Sequence, residues 1–382
     1  MNEEKPILLS PPHLNGSEAG FVREAFDTNW IALLGPNVDR FEAEVSDYLG
    51  CRYALALSSG TASIHMALKY LGAAQGDCVF CSDVTFSGSC NPILYEKAEP
   101  VFIDSEPGSW NMSPGALARA LADFSARGRL PKAVVVVDLY GMPARYDQIL
   151  PLCRQYGVPV VEDAAEALGS RYRGEKCGTL GDIGVLSFNG NKILTCSGGG
   201  MVLTDLPGAT DKMKFWANQS KEPSVLYYEH RELGYNYRMS NILAGIGRGQ
   251  LKSLPEYVNR RRAIHQRYKT ALAGYPVSFA EEFDGAFSNF WLTVLLLDKR
   301  ARVAPPDVVR ALNAERIEAR NFWNPMHMQP LFSPFTFYPD DPAAVPVGER
   351  LFAQGVCLPS GTGMTDGDVD RVAACIRNLF RS

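Results

Sequence analysis

One lysine and the glycines that follow it form the stretch of this 382-residue chain best suited to chemistry. Lys192 comes just after the apolar run 183–188, which is typical of a buried strand, and three glycines at 198–200 precede a second apolar run. A lysine among apolar neighbours can lose its proton, because burial disfavours the charged form, and its amine is then a nucleophile. Glycines let the backbone approach a bound group closely. The alternative is a solvated turn lysine beside a flexible glycine run.

Two carboxylates lie at the end of a second predicted strand, residues 159–162. Asp163 follows this strand directly, and Glu166 comes three residues later. An open α/β sheet places its functional side chains at the carboxyl ends of its strands. This pattern therefore predicts that Asp163 and Lys192 lie at the same edge of one sheet.

The run E-D-A-A at 162–165, together with the lysine beyond the next strand, resembles the DegT/DnrJ/EryC1/StrS sugar aminotransferases, which are fold-type I pyridoxal phosphate enzymes. The resemblance implies that Asp163 pairs with the pyridinium nitrogen of the cofactor and that Lys192 forms the Schiff base with it. A carboxylate opposite the ring nitrogen keeps that nitrogen protonated, which makes the ring a better acceptor of carbanion electrons. Asp163 and Lys192 are therefore the predicted catalytic residues of an aminotransferase.

The segment S-G-T-A at 59–62 lies between a predicted strand, 53–57, and a predicted helix. Such a turn offers free N–H groups at the positive end of a helix dipole and can hold a phosphate, although an ordinary helix cap has the same pattern. In the family this segment binds the cofactor phosphate. The resemblance therefore assigns Thr61 and Ala62 to that role.

Three further positions complete the cofactor site that the resemblance implies. Phe86 falls where relatives place an aromatic ring that stacks on the pyridine ring, with a core phenylalanine as the alternative. Ser187 and Glu166 are also assigned to cofactor binding. Many relatives have Gln or His at the position of Glu166, which puts the usual amide contact to the cofactor's 3′ oxygen in doubt. A buried carboxylate there needs a proton or another partner.

The segment G-Y-N-Y-R-M at 234–239 matches a family motif whose asparagine reaches the cofactor phosphate of the neighbouring subunit. The resemblance thus implies a homodimer with shared active sites, to which Asn236 contributes. Arg238 is expected to bind the diphosphate of the substrate, since a guanidinium can grip phosphate oxygens through two hydrogen bonds. Trp30, in an apolar loop, is expected to flank the substrate, with local packing of the loop as the alternative. His327 is a third substrate-binding candidate, with a structural histidine as the alternative.

The runs E-D-A-A-E-A-L-G-S and F-N-G-N-K-I-L-T-C-S-G-G-G-M look most like those of the bacillosamine-type 4-aminotransferases. This resemblance implies transfer of an amino group from L-glutamate to C4 of UDP-2-acetamido-2,6-dideoxy-4-ketohexose, giving UDP-2-acetamido-4-amino-2,4,6-trideoxyglucose for bacterial protein glycosylation. A different keto sugar, dTDP-linked or with its ketone at C3, and a non-catalytic regulator are the alternatives. A nicotinamide dehydrogenase is disfavoured because no G-x-G-x-x-G follows the first predicted strand.

Strand-like and helix-like segments alternate through the first 250 residues, which predicts an α/β fold with a mostly parallel sheet covered by helices. We expect a large PLP-binding domain over residues 1–250 and a small α+β domain over 251–382, as in fold-type I aminotransferases. Ser240 or Asn241 is expected to cap one long helix that runs through residue 264 or beyond.

The overall composition restricts the class of protein. A net charge of −4 argues against a nucleic-acid binder that depends on phosphate contacts. No apolar stretch approaches the ~20 residues of a membrane span, and the N-terminus lacks a signal-peptide pattern, so we expect a cytoplasmic protein. Cys78 and Cys81 lie inside a strand-like run without a second cysteine pair, so no metal site is expected.

Overall fold

The computed structural model describes residues 5–380, which form a large central sheet, two smaller sheets and the helices around them. The strands are β1 (Tyr53–Leu57), β2 (Cys78–Ser82), β3 (Glu99–Ile103), β4 (Val134–Val137), β5 (Val160–Asp163), β6 (Arg171–Tyr172), β7 (Glu175–Lys176), β8 (Ile183–Ser187), β9 (Gly200–Thr204), β10 (Val277–Phe279), β11 (Ala286–Phe287), β12 (Thr293–Leu297), β13 (Arg320–Asn321), β14 (Phe337–Tyr338) and β15 (Gly355–Leu358). The helices are α1 (Glu18–Asp27), α2 (Pro36–Leu49), α3 (Gly60–Tyr70), α4 (Asn91–Tyr95), α5 (Pro114–Ala126), α6 (Tyr146–Gln155), α7 (Ala209–Ala217), α8 (Asn241–Leu251), α9 (Leu254–Ala271), α10 (Pro305–Ala314), α11 (Val347–Gln354) and α12 (Asp366–Leu379).

The central sheet has eight strands in the order β1-β9-β8-β5-β4-β2-β3-β14. Only β9 runs against its neighbours; the other pairs in the sheet are parallel. Strands β1, β2, β4, β5 and β8 therefore point the same way, and their carboxyl ends meet at one edge of the sheet. This edge is where chemistry is expected in an α/β fold.

Strand β4 shows why both faces of this sheet are covered. It consists of four consecutive valines, all buried. Val135 packs into one apolar cluster with residues of α3, and Val134 and Val136 pack into another with residues of α5 and α6. A strand buried on both faces has no need of polar alternation, which explains the uniform valines. The predicted α/β class and mostly parallel sheet are confirmed.

The second sheet is antiparallel, in the order β10-β12-β15-β13, and packs against α9, α10 and α12. Two pairings cross the predicted domain boundary at residue 250. Strand β14 extends the central sheet beside β3, and Ile7 pairs with Ile317 near the second sheet. The boundary itself stays a prediction.

The prediction of one long helix after Ser240 is wrong. Helix α8 ends at Leu251 and α9 begins at Leu254, with Pro255 in its first turn. Proline lacks an N–H and fits the first turn of a helix, but it disrupts a helix interior. Within residues 5–380, no helix is long and apolar enough to cross a bilayer.

Candidate active site

A cavity of about 340 Å³ lies at the edge where the five aligned strands end. Segments that follow β1, β2, β5 and β8 line it, together with the end of β4. Trp291 and Trp323 close it from the side of the second sheet. Asp163 and Lys192, from two different strand ends, share this cavity as the sequence predicts.

Lys192 is held between a carboxylate and an aromatic ring. Its Nζ atom lies 3.1 Å from Oε1 of Glu166 and 4.1 Å from the centroid of the Trp291 ring. Only 12% of its side chain is exposed. This burial contradicts the alternative of a solvated turn lysine, and it places an amine inside the cavity.

Asp163 is a buried carboxylate with donors on both oxygens. Ser89 Oγ donates to Oδ2 at 2.6 Å, and the N–H of Ala165 donates to Oδ1 at 3.1 Å. Burial raises the pKa of Asp163, while these hydrogen bonds and the charge of Lys192 oppose that rise. A buried carboxylate of this kind favours a cationic or N–H-bearing partner in the cavity.

The buried carboxylate of Glu166 has a partner for each of its two oxygens. Its Oε1 atom contacts Lys192, and its Oε2 atom accepts a hydrogen bond of 2.8 Å from the N–H of Tyr140. Burial raises the pKa of Glu166, while the positive charge of Lys192 opposes that rise. Glu166 and Lys192 therefore form a nearly buried ion pair at the cavity.

The start of α3 forms the opposite wall of the cavity. Ser59 caps the helix by accepting a hydrogen bond of 3.0 Å from the N–H of Ala62. Gly60 and Thr61 line the cavity at the first turn, where helix N–H groups lack partners within the helix. A Cβ atom on Gly200 would lie 2.3 Å from the carbonyl carbon of Ser59, so only glycine lets β9 pass this close to the turn.

Comparison with known proteins identifies the family. The model of the DegT/DnrJ/EryC1/StrS aminotransferase family matches residues 12–377. The chain belongs to this family.

Named relatives cover nearly the whole chain. The Bacillus subtilis protein EpsN, provisionally named a pyridoxal phosphate-dependent aminotransferase, is 51% identical over 379 residues, which are 99% of this chain and 97% of EpsN. The GDP-perosamine synthase of Vibrio cholerae is 33% identical over 98% of this chain and 99% of its own. The structure of DesI in the presence of its TDP-sugar product superposes with a TM-score of 0.87, at 27% identity, over 99% of this chain and 93% of that chain.

The cofactor of this DegT/DnrJ/EryC1/StrS aminotransferase is pyridoxal 5′-phosphate, and the cavity suits it. The first turn of α3 offers N–H groups to a phosphate, the amine of Lys192 suits an aldehyde, and the carboxylate of Asp163 suits a pyridinium N–H. Phe86 lines the same cavity and is 64% exposed, which contradicts the alternative of a core phenylalanine. Ser187 also lines it. Ala62 does not line the cavity, and its N–H donates to the Ser59 cap, so its role at the phosphate stays a prediction.

Besides Ala62, four predicted site residues do not line this cavity. Arg238 is buried, and its Nη1 atom donates to Glu42 Oε1 and to the carbonyl of Ala56, both at 3.2 Å. Glu42 therefore compensates the charge of Arg238 within the chain, and the predicted diphosphate contact stays a prediction. Asn236 is exposed and bridges to Asn218, so its predicted role in a partner's site stays a prediction.

His327 and Trp30 are the other two. His327 lies between Asp83, 2.7 Å from its Nδ1 atom, and Glu349, 3.1 Å from its Nε2 atom. Burial lowers the pKa of His327, but these carboxylates outweigh that effect and raise it above the usual value. These contacts agree with the structural alternative, and a substrate-binding role for His327 stays a prediction. Trp30 is 41% exposed, and its carbonyl accepts a hydrogen bond from Asn241, so a role at the substrate stays a prediction.

Several cavity residues were missed by sequence reasoning. Trp291 and Trp323 come from loops far along the chain, and Ser89 is one small residue in a polar turn. Ser89 also bonds Thr85, at 2.7 Å between the hydroxyl oxygens, which orients it toward Asp163. No local pattern marks any of them, because their partners are supplied by other strand ends.

One buried group of possible metal ligands lies outside the cavity. Ligand atoms of Asp138, Glu162 and Cys177 all lie within 4.8 Å of one another. The N–H groups of Gly178 and Leu180 already donate to the Glu162 carboxylate, at 2.5 and 2.6 Å. Burial, followed by the Glu162 charge, raises the pKa of Asp138, which favours a neutral Asp138 rather than a second anion. The expectation that the protein holds no metal stays a prediction.

Proposed function

We propose that this family member transfers an amino group from L-glutamate to C4 of a nucleotide-linked 4-keto sugar. The observation that carries the amine chemistry is the placement of Lys192 in one cavity with the buried carboxylates of Asp163 and Glu166. The three groups supply an amine, a carboxylate suited to a pyridinium, and a proton acceptor beside the amine. A regulator that only retained the fold would have no need of this arrangement.

Pyridoxal phosphate, when bound, supplies an aldehyde that carries the amino group and a ring that stores the electron pair. Lys192 Nζ then has two tasks: it holds the cofactor covalently, and it moves a proton at the reacting carbon. Asp163 holds a proton at the ring nitrogen through its carboxylate, which Ser89 orients. Gly60 and Thr61 offer N–H groups to the phosphate.

Glu166 compensates the positive charge of Lys192 when the lysine is not bonded to the cofactor. Its carboxylate is 3.1 Å from Nζ, and the N–H of Tyr140 fixes its other oxygen. A carboxylate so placed can accept a proton from the ammonium and return it. This role gives a reason for a glutamate where many relatives have an amide or a histidine.

The substrate we propose first is UDP-2-acetamido-2,6-dideoxy-4-ketohexose, on the resemblance of the two motif runs to bacillosamine-type enzymes. A second cavity of about 510 Å³ adjoins the first and shares Thr85, Phe86 and Trp323 with it. Its further lining is aromatic, aliphatic and amide, including Asn91 and Phe332. Such a surface suits the uncharged parts of a nucleotide sugar.

A different nucleotide is the second candidate, since relatives favour it by name. One is a GDP-perosamine synthase, and the DesI structure was determined with a TDP-sugar product. The amine chemistry would be the same in each case. Only the partners of the base and diphosphate would differ.

We also propose a homodimer in which Asn236 of each chain serves the other chain's site. Asn236 is exposed and absent from its own cavity, as a residue with a partner role would be. Four large apolar side chains nearby in sequence are also exposed: Leu226, Tyr227, Tyr228 and Leu233. Exposed apolar clusters of this kind mark surfaces that other chains cover.

The test is a product assay by mass spectrometry. The protein, loaded with pyridoxal phosphate, is incubated with ¹⁵N-labelled glutamate and a panel of UDP-, GDP- and dTDP-linked 4-keto sugars. We expect labelled amino sugar, formed fastest from the UDP-linked acetamido sugar, and none from the Lys192→Ala variant. Faster turnover of a GDP- or dTDP-linked sugar would overturn the substrate and leave the amino transfer standing. Absence of label from every sugar would overturn the proposed function.

A further inference from the structure

The loop that carries Lys192 is fixed through one backbone carbonyl. The carbonyl oxygen of Asn191 accepts two hydrogen bonds, from Ser10 Oγ at 2.6 Å and from Trp291 Nε1 at 2.8 Å. Ser10 lies near the start of the chain and Trp291 lies just before β12. Two segments distant in sequence therefore hold the residue that precedes the lysine.

Trp291 also contacts the lysine itself. Its ring centroid lies 4.1 Å from Lys192 Nζ, and only 2% of the tryptophan is exposed. A desolvated ammonium gains most from an aromatic face, and tryptophan is the best of the aromatic partners. With Glu166 at 3.1 Å, the free lysine head has a carboxylate and a ring face as its contacts in the cavity.

A buried arginine holds the backbone of Trp291. Arg261 on α9 is fully buried, and its guanidinium donates to the carbonyl of Trp291 and, at 3.0 Å, to Ser10 Oγ. Burial lowers the pKa of Arg261 to about 9. A buried guanidinium is costly unless its hydrogen bonds are used. Here those bonds join the two donors that hold Asn191.

The ring and the Glu166 loop are also connected. The side chain of Asn289 accepts a hydrogen bond of 2.8 Å from the N–H of Trp291 and donates one of 2.8 Å to the carbonyl of Glu166. Asn289 is completely buried. The two groups that face the lysine head are therefore set relative to each other by one amide.

We propose that Trp291 is a positioning residue for Lys192, with its ring face holding the ammonium opposite Glu166 and its indole N–H holding the carbonyl of Asn191. The inference rests on the proposed role of Lys192. It extends the site to a residue that neither motif nor strand end indicates. Its consequence is that the lysine stays in place during the part of the cycle in which it is not bonded to the cofactor.

The test separates the ring from the N–H. Trp291→Phe keeps an aromatic face and loses the donor, and Trp291→Leu loses both. Trp110→Phe is the matched control, because Trp110 is also buried in the same apolar cluster but does not line the cavity. The measurements are the rate at which apoprotein and pyridoxal phosphate develop the absorption of the bound cofactor, and kcat and KM for glutamate.

We expect Trp291→Leu to slow cofactor attachment and to lower kcat by about tenfold, with the KM for glutamate within about twofold, because the lost contact is with the lysine rather than with the donor. Trp291→Phe should recover most of both losses, and adding Ser10→Ala to it should remove that recovery by freeing the carbonyl of Asn191. Trp110→Phe should match the unaltered protein. Melting temperatures identify any variant that fails to fold, and Trp291→Met then replaces the leucine variant.

Two results would overturn the inference. One is an attachment rate and kcat in folded Trp291→Leu or Trp291→Met equal to those of the unaltered protein. The other is an equal loss in Trp291→Phe and Trp291→Leu, without any rescue by the ring. Borohydride trapping of the cofactor on Lys192 in the unaltered protein is read separately. If it fails, the proposed function fails; if it succeeds beside either result above, only the role of Trp291 fails.

Discussion

The strand-end cavity and the segment from Asn218 to Arg238 both contain clear family motifs, but the residues of the two regions differ in burial and in their contacts. At the cavity, Asp163 and Lys192 meet although they come from separate strands, and each has buried partners. In the second segment Asn236 is exposed, as are Leu226, Tyr227, Tyr228 and Leu233. The cavity residues contact one another within one chain. Asn236 and the exposed apolar side chains do not line the cavity of their own chain.

This difference shows for which motif residues the contacts can be read from the structure of one chain. Arg238 and Asn236 are two residues apart, but Arg238 is buried on Glu42 and Asn236 is not buried at all. Membership of one motif therefore does not give neighbouring residues one role. Burial separates a residue that pairs within its own chain from a residue that is exposed.

The largest effect is expected from Lys192→Ala. Turnover should fall by roughly 10³-fold or more, because both the covalent hold on the cofactor and the proton transfer are lost. Lys132→Ala is the control, since its side chain is 45% exposed and pairs only loosely with Asp77 at 3.8 Å. Steady-state kinetics and circular dichroism give the comparison. Activity retained in a folded Lys192→Ala protein would break the assignment of the cavity as the active site.

Asp163→Asn is expected to lower kcat by roughly 10²-fold or more, because a neutral amide cannot hold a proton at the pyridinium nitrogen. The shape of the side chain is kept, and Ser89 can still bond the remaining oxygen. The bound cofactor should still be trapped on Lys192. An unchanged kcat would mean that another carboxylate faces the ring.

The exposed region is tested by mixing two inactive chains. Asn236→Ala and Lys192→Ala should each be inactive alone. A heterodimer of the two should contain one intact site, built from Lys192 of one chain and Asn236 of the other. With random exchange of subunits, about a quarter of the full activity should return, since half the dimers carry one working site of two. No recovery, with both variants folded and shown to exchange, would place Asn236 in its own chain's site or in none.

The smallest effect is expected from Glu166→Gln, and it concerns pH. Burial raises the pKa of Glu166, so as the pH falls its carboxylate takes up a proton earlier than an ordinary glutamate would. The pair with Lys192 is then lost, and kcat of the unaltered protein should fall on the acid side. Glutamine cannot titrate, so the variant should be a few-fold slower at neutral pH with a flatter acid limb. An identical acid limb in both proteins would assign it to another group.

The main parts of the cavity could be predicted because their signals are local. Lys192, Asp163 and Thr61 each follow a buried strand, and parallel strands bring their ends together. The break between α8 and α9 has a local signal, since Pro255 fits the first turn of a new helix but not the interior of a long one.

The remaining contacts could not be predicted, because they join residues far apart in sequence. Trp291 meets the Lys192 loop from 100 residues away, and Arg238 meets Glu42 from 196 residues away. The Ser59 cap shows another limit. Its hydroxyl takes the N–H of Ala62 for the helix itself, and a motif alone does not show which N–H groups of a turn stay available.

The most direct test of the account is to locate the cofactor on the chain. The protein with bound pyridoxal phosphate is reduced with borohydride, either before or after exposure to glutamate, and its peptides are examined by mass spectrometry. We expect the added cofactor mass on the peptide that contains Lys192, and its loss when glutamate is added first. Cofactor mass on a different lysine, or attachment to Lys192 that glutamate does not change, would contradict it.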